Sequence, residues 1–79
     1  MSEHNYKFNV TMTCGGGSGA VERVLKKMDG IKTYNVSLDT QTADITTDDS
    51  VSYEAVLEKI KKTGKTVNSG EMDGQSMSV

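Results

Sequence analysis

Hydrophobic and polar positions follow two different periods along this chain and divide it into six predicted elements. Four stretches alternate apolar with polar residues, which indicates strands with one buried face. These strands are predicted at Tyr6–Met12, Tyr34–Leu38, Ala43–Thr47 and Lys65–Asn68. Two other stretches, Val21–Met28 and Tyr53–Ile60, place apolar residues at i, i+3, i+4 and i+7, which predicts two amphipathic helices.

Both predicted helices are bounded by residues that suit helix termini. Ser52 is suited to the N-cap of the second helix, where Val51 and Val56 can form a hydrophobic staple. Gly30 follows the first predicted helix and Gly64 follows the second. Glycine accepts the left-handed conformation that often ends a helix, so we predict that these two residues terminate the helices.

The order of elements, β-α-β-β-α-β, predicts a ferredoxin-like α+β sandwich. A short connection, Asp39–Thr42, makes the second and third strands antiparallel. Right-handed crossovers then place both helices on one face of a four-stranded antiparallel sheet. Residues 1–69 form this domain, whereas residues 70–79 are polar and aperiodic, so we expect a flexible tail. The predicted core contains Phe8, Val10, Val21, Val24, Leu25, Met28, Val36, Leu38, Ile45, Val56, Leu57, Ile60 and Val67.

Charge and hydropathy argue against two broad classes of partner. The 79 residues carry a net charge of −2, so no general basic field attracts nucleic acid. No segment has the length and hydrophobicity to span a membrane, and the N-terminal residues lack the apolar run of a signal peptide. A single cysteine excludes an internal disulfide, which fits a reducing compartment. We expect a cytoplasmic protein that binds neither nucleic acid nor membranes.

The most distinctive stretch, Met12–Gly19, holds the one cysteine, Cys14, and half of the eight glycines. We predict a glycine-rich loop that presents Cys14 just before a helix N-terminus, where the helix dipole and free N–H groups favour a thiolate. The topology brings Lys65 to the same edge of the sheet, so Cys14 and Lys65 are expected to be neighbours. A lowered pKa of the Cys14 thiol is the resulting hypothesis. Met12 continues the buried phase of the first strand, which favours packing over metal ligation.

Several segments of the sequence together resemble the small cytosolic copper chaperones, most closely the fungal type that hands Cu(I) to a copper-transporting P-type ATPase. The matching segments are Tyr6–Val10, Met12–Gly16, Ser18–Val21 and Leu57–Lys65, and the resemblance covers residues 6–69. It implies a heavy-metal-associated domain, and a binding and transfer protein rather than an enzyme.

The metal motif of that family is Met-x-Cys-x-x-Cys, in which both cysteines bind the metal. Met12 and Cys14 match it, whereas Gly17 occupies the position of the second cysteine. Cu(I) prefers two or three thiolates, so we expect one chain alone to bind it weakly. A small thiol such as glutathione, or Cys14 of a second chain in a metal-bridged homodimer, would supply the missing ligand. Other soft ions, such as Ag(I), Cd(II) and Hg(II), are expected to be accepted on the same grounds.

The resemblance also implies supporting and docking residues. Thr13 lies inside the motif, and Lys65 resembles the family's lysine after the second helix, whose charge offsets the bound thiolates. The family docks through a lysine-rich face onto an acidic metal-binding domain of the ATPase. The corresponding residues here are Arg23, Lys26, Lys27, Lys59, Lys61 and Lys62.

Purely structural roles for these residues, and two other functions for the chain, remain open at this point. A merely solvated face explains the lysines equally well without the resemblance, and Cys14 could be a small buried hydrophobe. The chain could be an interaction module that keeps the docking face but has lost metal transfer. It could also be a thiol redox protein acting through Cys14, although the chain has no resolving cysteine.

Overall fold

The elements of the structure follow the predicted order, with one strand added at the end. A computed structural model describes residues 3–12 and 15–79. Its elements are β1 Glu3–Val10, α1 Gly15–Lys27, β2 Ile31–Ser37, β3 Thr42–Asp48, α2 Tyr53–Lys61, β4 Val67–Met72 and β5 Gln75–Met77. The strands form one antiparallel sheet of order β2-β3-β1-β4-β5. Two helices packed on an antiparallel sheet confirm the predicted ferredoxin-like fold. Within the described ranges, neither helix is long and apolar enough to cross a bilayer.

β1 is the central strand, and its neighbours determine what surrounds its C-terminal end. It pairs with β3 on one side and with β4 on the other. At its end, the N–H of Val10 donates to the carbonyl of Gln41 at 2.9 Å, and the N–H of Thr11 donates to the carbonyl of Thr66 at 2.9 Å. The exit from β1 therefore lies between the β2–β3 turn and the segment that follows α2.

The core lies between the sheet and the helices and contains most of the residues predicted for it. Those fully or largely buried are Phe8, Val10, Val21, Leu25, Ile45, Val56, Leu57 and Ile60. Met28, Val36 and Val67 are partly buried and pack against this cluster. Leu38 was wrongly placed in the core: it is 36% exposed, because it lies beyond the end of β2. Val24 is only half-buried, because it lines a groove beside α2.

Two tyrosines that lie on the apolar faces of their elements, but were omitted from the predicted core, complete it. Tyr6 and Tyr53 are buried, and their ring centroids lie 5.8 Å apart in an edge-on arrangement. Phe8 stacks on Tyr53 at 5.1 Å. Burial raises the pKa of Tyr6 and of Tyr53, because the charged phenolate is poorly solvated there. The hydroxyl of Tyr6 donates to the carbonyl of Val51 at 2.7 Å, so its polar tip is satisfied.

The glycine-rich stretch is helical from Gly15 onward, which corrects the prediction of a loop. Gly17 and Gly19 lie within the first turns of α1. Glycine costs about 1 kcal/mol relative to alanine inside a helix. Further along, however, α1 buries Val21 and Leu25 completely. Burial of such side chains contributes about 1.5–3 kcal/mol each, so tertiary packing outweighs the low helix propensity at the start.

The C-terminal segment belongs to the sheet, which corrects the prediction of four strands with a tail from residue 70. β4 continues through Gly70 to Met72, and β5 pairs with it. Gly70 lies directly against Tyr53: a Cβ there would overlap the Tyr53 hydroxyl and approach Tyr53 Cζ at 3.0 Å. That hydroxyl donates to the carbonyl of Ser78 at 2.9 Å. A short polar hairpin has no hydrophobic alternation, so the sequence pattern did not reveal it.

The capping predictions are confirmed. Ser52 has extended backbone angles, and its Oγ accepts from the N–H of Ala55 at 3.1 Å. Gly30 and Gly64 have φ values of 89° and 84°, in the left-handed region expected after a helix. The start of α2 and the C-terminal ends of both helices are thus set by local sequence.

Asp73 fastens the β4–β5 turn to the start of β1. Its N–H donates to the carbonyl of Asn5 at 2.7 Å, and its carboxylate accepts from the N–H of Asn5 at 2.8 Å. His4 Nδ1 lies 3.1 Å from the other carboxylate oxygen. The hydrogen bond from the Asn5 backbone, followed by that from His4, holds the pKa of Asp73 below its ordinary value. The β4–β5 turn is thereby tied to the central strand.

Candidate metal-binding site

Three segments meet around Gly17 at the N-terminal end of α1. They are the exit of β1 at Met12, the first turn of α1 at Gly17 and the segment after α2 at Lys65. Gly17 is buried. A Cβ atom on Gly17 would lie 3.4 Å from Lys65 Cε, 3.6 Å from Lys65 Nζ and 3.6 Å from Met12 Cβ. These are ordinary van der Waals distances, so a Cβ fits at position 17 beside the Lys65 ammonium group.

Of the two residues predicted to be neighbours, Cys14 and Lys65, the structure describes Lys65. Thr13 and Cys14 lie outside the described residues, so their neighbourhood with Lys65 stays a prediction. The structure does place Lys65 against Gly17, which follows Cys14 by three positions. The lysine and the glycine of the predicted site are therefore brought together from positions far apart in sequence.

Met12 lies beside Gly17 as part of the core. It is only 3% exposed and belongs to the main hydrophobic cluster. A buried thioether among apolar neighbours fills space. This placement agrees with the packing role predicted for Met12 and gives it no open approach for a metal ion.

Gln41 is a residue of this region that the sequence analysis missed. Its side-chain Oε1 accepts from the N–H of Met12 at 2.6 Å, and its Nε2 donates to the carbonyl of Met12 at 2.7 Å. In the sequence, Gln41 was only part of a short connection between strands. Its partners are main-chain groups of a distant segment, which leave no trace in a residue pattern.

Lys65 brings a positive charge next to Gly17 that no described carboxylate neutralises. Across residues 3–12 and 15–79, the ion pairs are His4–Asp73 and Lys32–Glu3, so no carboxylate there pairs with Lys65. The same described residues contain no group of three or more His, Cys, Asp or Glu side chains that could hold a metal. Metal binding at this end of the molecule would therefore depend on Cys14.

A second feature, here called the helix groove, lies between α1 and α2. Its volume is about 490 Å³, and its lining residues are Val24, Lys27, Met28, Asp29, Lys59 and Lys62. Three of the six basic residues predicted for docking thus share one groove. The remaining three, Arg23, Lys26 and Lys61, are exposed and lie on the same helices or next to them. The groove combines half-buried apolar side chains with a positively charged rim.

The sequence of residues 7–66 matches the heavy-metal-associated domain. This match covers more than half of the chain. The chain belongs to the heavy-metal-associated domain family. The predicted family is therefore confirmed, and its boundaries include Met12, Gly17, Gln41 and Lys65.

Similar proteins place this heavy-metal-associated domain among copper-handling proteins. It is 43% identical over 67 residues to the metal homeostasis factor atx1 of Schizosaccharomyces pombe, covering 85% of this chain and 94% of that protein. It is 43% identical over 63 residues to the copper transport protein ATOX1 of Homo sapiens, covering 80% and 88%. A solved copper binding domain from HMA7, a P-type ATPase, superposes with a TM-score of 0.75 at 30% identity, covering 87% and 92%. The predicted resemblance to copper chaperones is confirmed.

Proposed function

We propose that this chain is a Cu(I) carrier of the copper-chaperone class with one cysteine ligand, Cys14. The observation that supports this most directly is the contact of Lys65 with the second motif position: a Cβ on Gly17 would lie 3.6 Å from Lys65 Nζ without a clash. The relatives are a metal homeostasis factor and a copper transport protein. Copper is then cargo, and the chain is a cytoplasmic binding and transfer protein rather than an enzyme.

One thiolate does not satisfy Cu(I), so the proposal requires a second ligand from outside the chain. Cu(I) is a soft ion that prefers thiolates, and Gly17 offers no donor atom. The second thiolate is supplied either by glutathione or by Cys14 of a second chain. The positive charge of Lys65, which no described carboxylate neutralises, would stabilise the resulting anionic copper–thiolate group. Other soft ions would bind on the same basis.

Cu(I) added to the metal-free chain is expected to bind in two different stoichiometries. Without added thiol, we expect one Cu(I) per two chains and a doubled mass, because two copies of Cys14 share the ion. With excess glutathione, we expect one Cu(I) per chain and a monomeric mass. Competition against a Cu(I) chelator measures the binding, and sedimentation equilibrium measures the mass.

Cys14→Ser is the matched control, and it is expected to lose both forms of binding. If this variant keeps the binding of the wild type, Cys14 is not the ligand and the proposal is wrong. A wild-type chain that binds no Cu(I) in either condition, yet still binds an ATPase domain, would instead support the interaction module.

We infer that the recipient is an acidic metal-binding domain of a copper-transporting P-type ATPase. A copper binding domain of one P-type ATPase shares this fold. Although the chain has a net charge of −2, the helix groove has three lysines against one aspartate. Opposite charges would steer the two domains together. A recipient thiolate would then bind Cu(I) before Cys14 leaves, so the ion is never released into water.

The double variant Lys59→Glu/Lys62→Glu is expected to slow association with such an acidic domain roughly tenfold at low salt, because steering depends on local charge. Lys7→Glu serves as the control: Lys7 is exposed on β1, between two residues that face the core, and so points away from the helices. Stopped-flow association rates across a series of salt concentrations measure the effect. Lys7→Glu changes the net charge by two units and the double variant by four, so slowing by the Lys7 variant of half the logarithmic size or more would show that net charge, rather than the helix groove, determines association.

A further inference from the structure

The side-chain amide of Gln41 is bonded entirely to main-chain groups around the exit of β1. Oε1 accepts from the N–H of Met12 at 2.6 Å. Nε2 donates both to the carbonyl of Met12 and to the carbonyl of Leu38, each at 2.7 Å. Since both carbonyls are acceptors, the amide has one orientation that satisfies all three groups. The donors and acceptors of this amide are thus committed to holding two backbone segments together.

These bonds replace a step of the sheet that β3 cannot supply. The ladder between β1 and β3 ends with Asn9 opposite Thr42, the first residue of β3. Gln41, which precedes Thr42, already belongs to the β2–β3 turn. A further ladder step would satisfy both the N–H and the carbonyl of a residue on the β1 side. The Gln41 side chain does this for Met12 instead.

The same stretch of chain is held from its other side. The N–H of Thr11 donates to the carbonyl of Thr66 at 2.9 Å, next to Lys65. The backbone is therefore fixed on both flanks immediately before it enters the metal motif. Met12 precedes Cys14 by two positions in the sequence.

Gln41 has an unusual backbone conformation at the turn from which its side chain reaches Met12. Its φ of 58° lies in the left-handed region, which is unfavourable for a residue with a Cβ. Glycine would fit this turn without strain but would provide no amide for Met12. A strained residue that the surroundings hold in place points to a functional constraint.

We propose that Gln41 is a positioning residue for the metal-binding segment. By bonding both the N–H and the carbonyl of Met12, it fixes the backbone two positions before Cys14. This inference rests on the proposed function, because it assigns the clamp a role in Cu(I) binding by Cys14. Gln41 acts through the backbone of Met12 and does not itself touch the ion.

Gln41→Gly tests the clamp without straining the turn, because glycine accepts the same φ. We expect hydrogen exchange at the Met12 amide to accelerate at least roughly tenfold, since its acceptor is removed. Cu(I) affinity in excess glutathione is expected to fall by roughly 10- to 100-fold, as for other residues that orient metal ligands. The thermal midpoint is expected to change little, so unfolding would not account for the loss.

Asp73→Gly is the matched control, because Asp73 is the other described non-glycine residue with positive φ and it holds the opposite end of β1. It is expected to keep wild-type Met12 exchange and Cu(I) affinity. Unchanged Met12 exchange in Gln41→Gly, faster exchange with unchanged Cu(I) affinity, or an equal loss of affinity in Asp73→Gly would each overturn the inference. If the wild type binds no Cu(I), the proposed function itself fails, whereas those three results leave it intact.

Discussion

Gly17→Cys is expected to bind Cu(I) as a monomer without added thiol, with an affinity about 10²- to 10⁴-fold above that of the wild-type chain. The reason is effective concentration: once Cys14 holds the ion, a second thiol on the same chain binds it in an intramolecular step. Two thiolates three positions apart at a helix N-terminus then satisfy the preference of Cu(I). The wild-type chain must recruit that ligand from solution.

The structure supports this substitution at the atomic level. A Cβ at position 17 meets Lys65 and Met12 at 3.4–3.6 Å, so the Cβ of a cysteine makes ordinary contacts there and forces no neighbour to move. The substitution also removes a glycine from the first turn of a helix, where glycine is unfavourable by roughly 0.5–1 kcal/mol. Stability should therefore be kept or slightly raised.

Gly19→Cys is the matched control for the position of the new thiol. A Cβ on Gly19 has no neighbour within 4 Å, and this residue lies about 200° around the helix from Gly17. It adds the same functional group on the wrong face, so chelator competition should show no comparable gain for a monomer. If Gly17→Cys binds no more tightly than Gly19→Cys, position 17 is not the second ligand position of this fold.

Gly30→Ala is expected to lower the free energy of unfolding by about 2–5 kcal/mol, the sum of backbone strain and overpacking. Gly30 has a φ of 89°, and it joins α1 to β2. A Cβ there would overlap Val51 Cγ2 and approach Asp48 Oδ1 at 3.1 Å. Val51 is buried, and its carbonyl accepts the Tyr6 hydroxyl, so it has little freedom to move away. Urea unfolding followed by circular dichroism measures the loss.

Gly64→Ala separates the two causes of that loss. Gly64 has a similar φ of 84°, but a Cβ there has nothing within 4 Å, so this variant should show only the backbone cost of about 1–2 kcal/mol. Adding Val51→Ala to Gly30→Ala should recover part of the packing cost, and a double-mutant cycle measures that coupling. Equal losses in Gly30→Ala and Gly64→Ala would mean that the contact with Val51 contributes nothing.

Local sequence was sufficient for the parts of this fold that depend on neighbouring residues. The helix termini at Ser52, Gly30 and Gly64 were predicted correctly, because caps use side chains and φ values within a few residues. The strand and helix periods identified the buried faces of β1 and α2, since burial repeats with the geometry of each element. Errors appeared where the pattern was short or interrupted, at Leu38 and in the C-terminal hairpin.

The sequence by itself determined that the chain has one thiol, Cys14, and that a family motif surrounds it. A thiol can act as a nucleophile or as a metal ligand, so the sequence also limited the chemistry of the site. Only the tertiary structure decided that the glycine-rich stretch is helical, that Lys65 lies against Gly17 and that Gln41 holds Met12. The physical reason is that these features depend on contacts between distant segments. The hydrogen bonds between the Gln41 side chain and Met12 require no periodic pattern in either segment. The same is true of the contact of Lys65 with Gly17. Such contacts exist only once the strands have paired and the helices have packed.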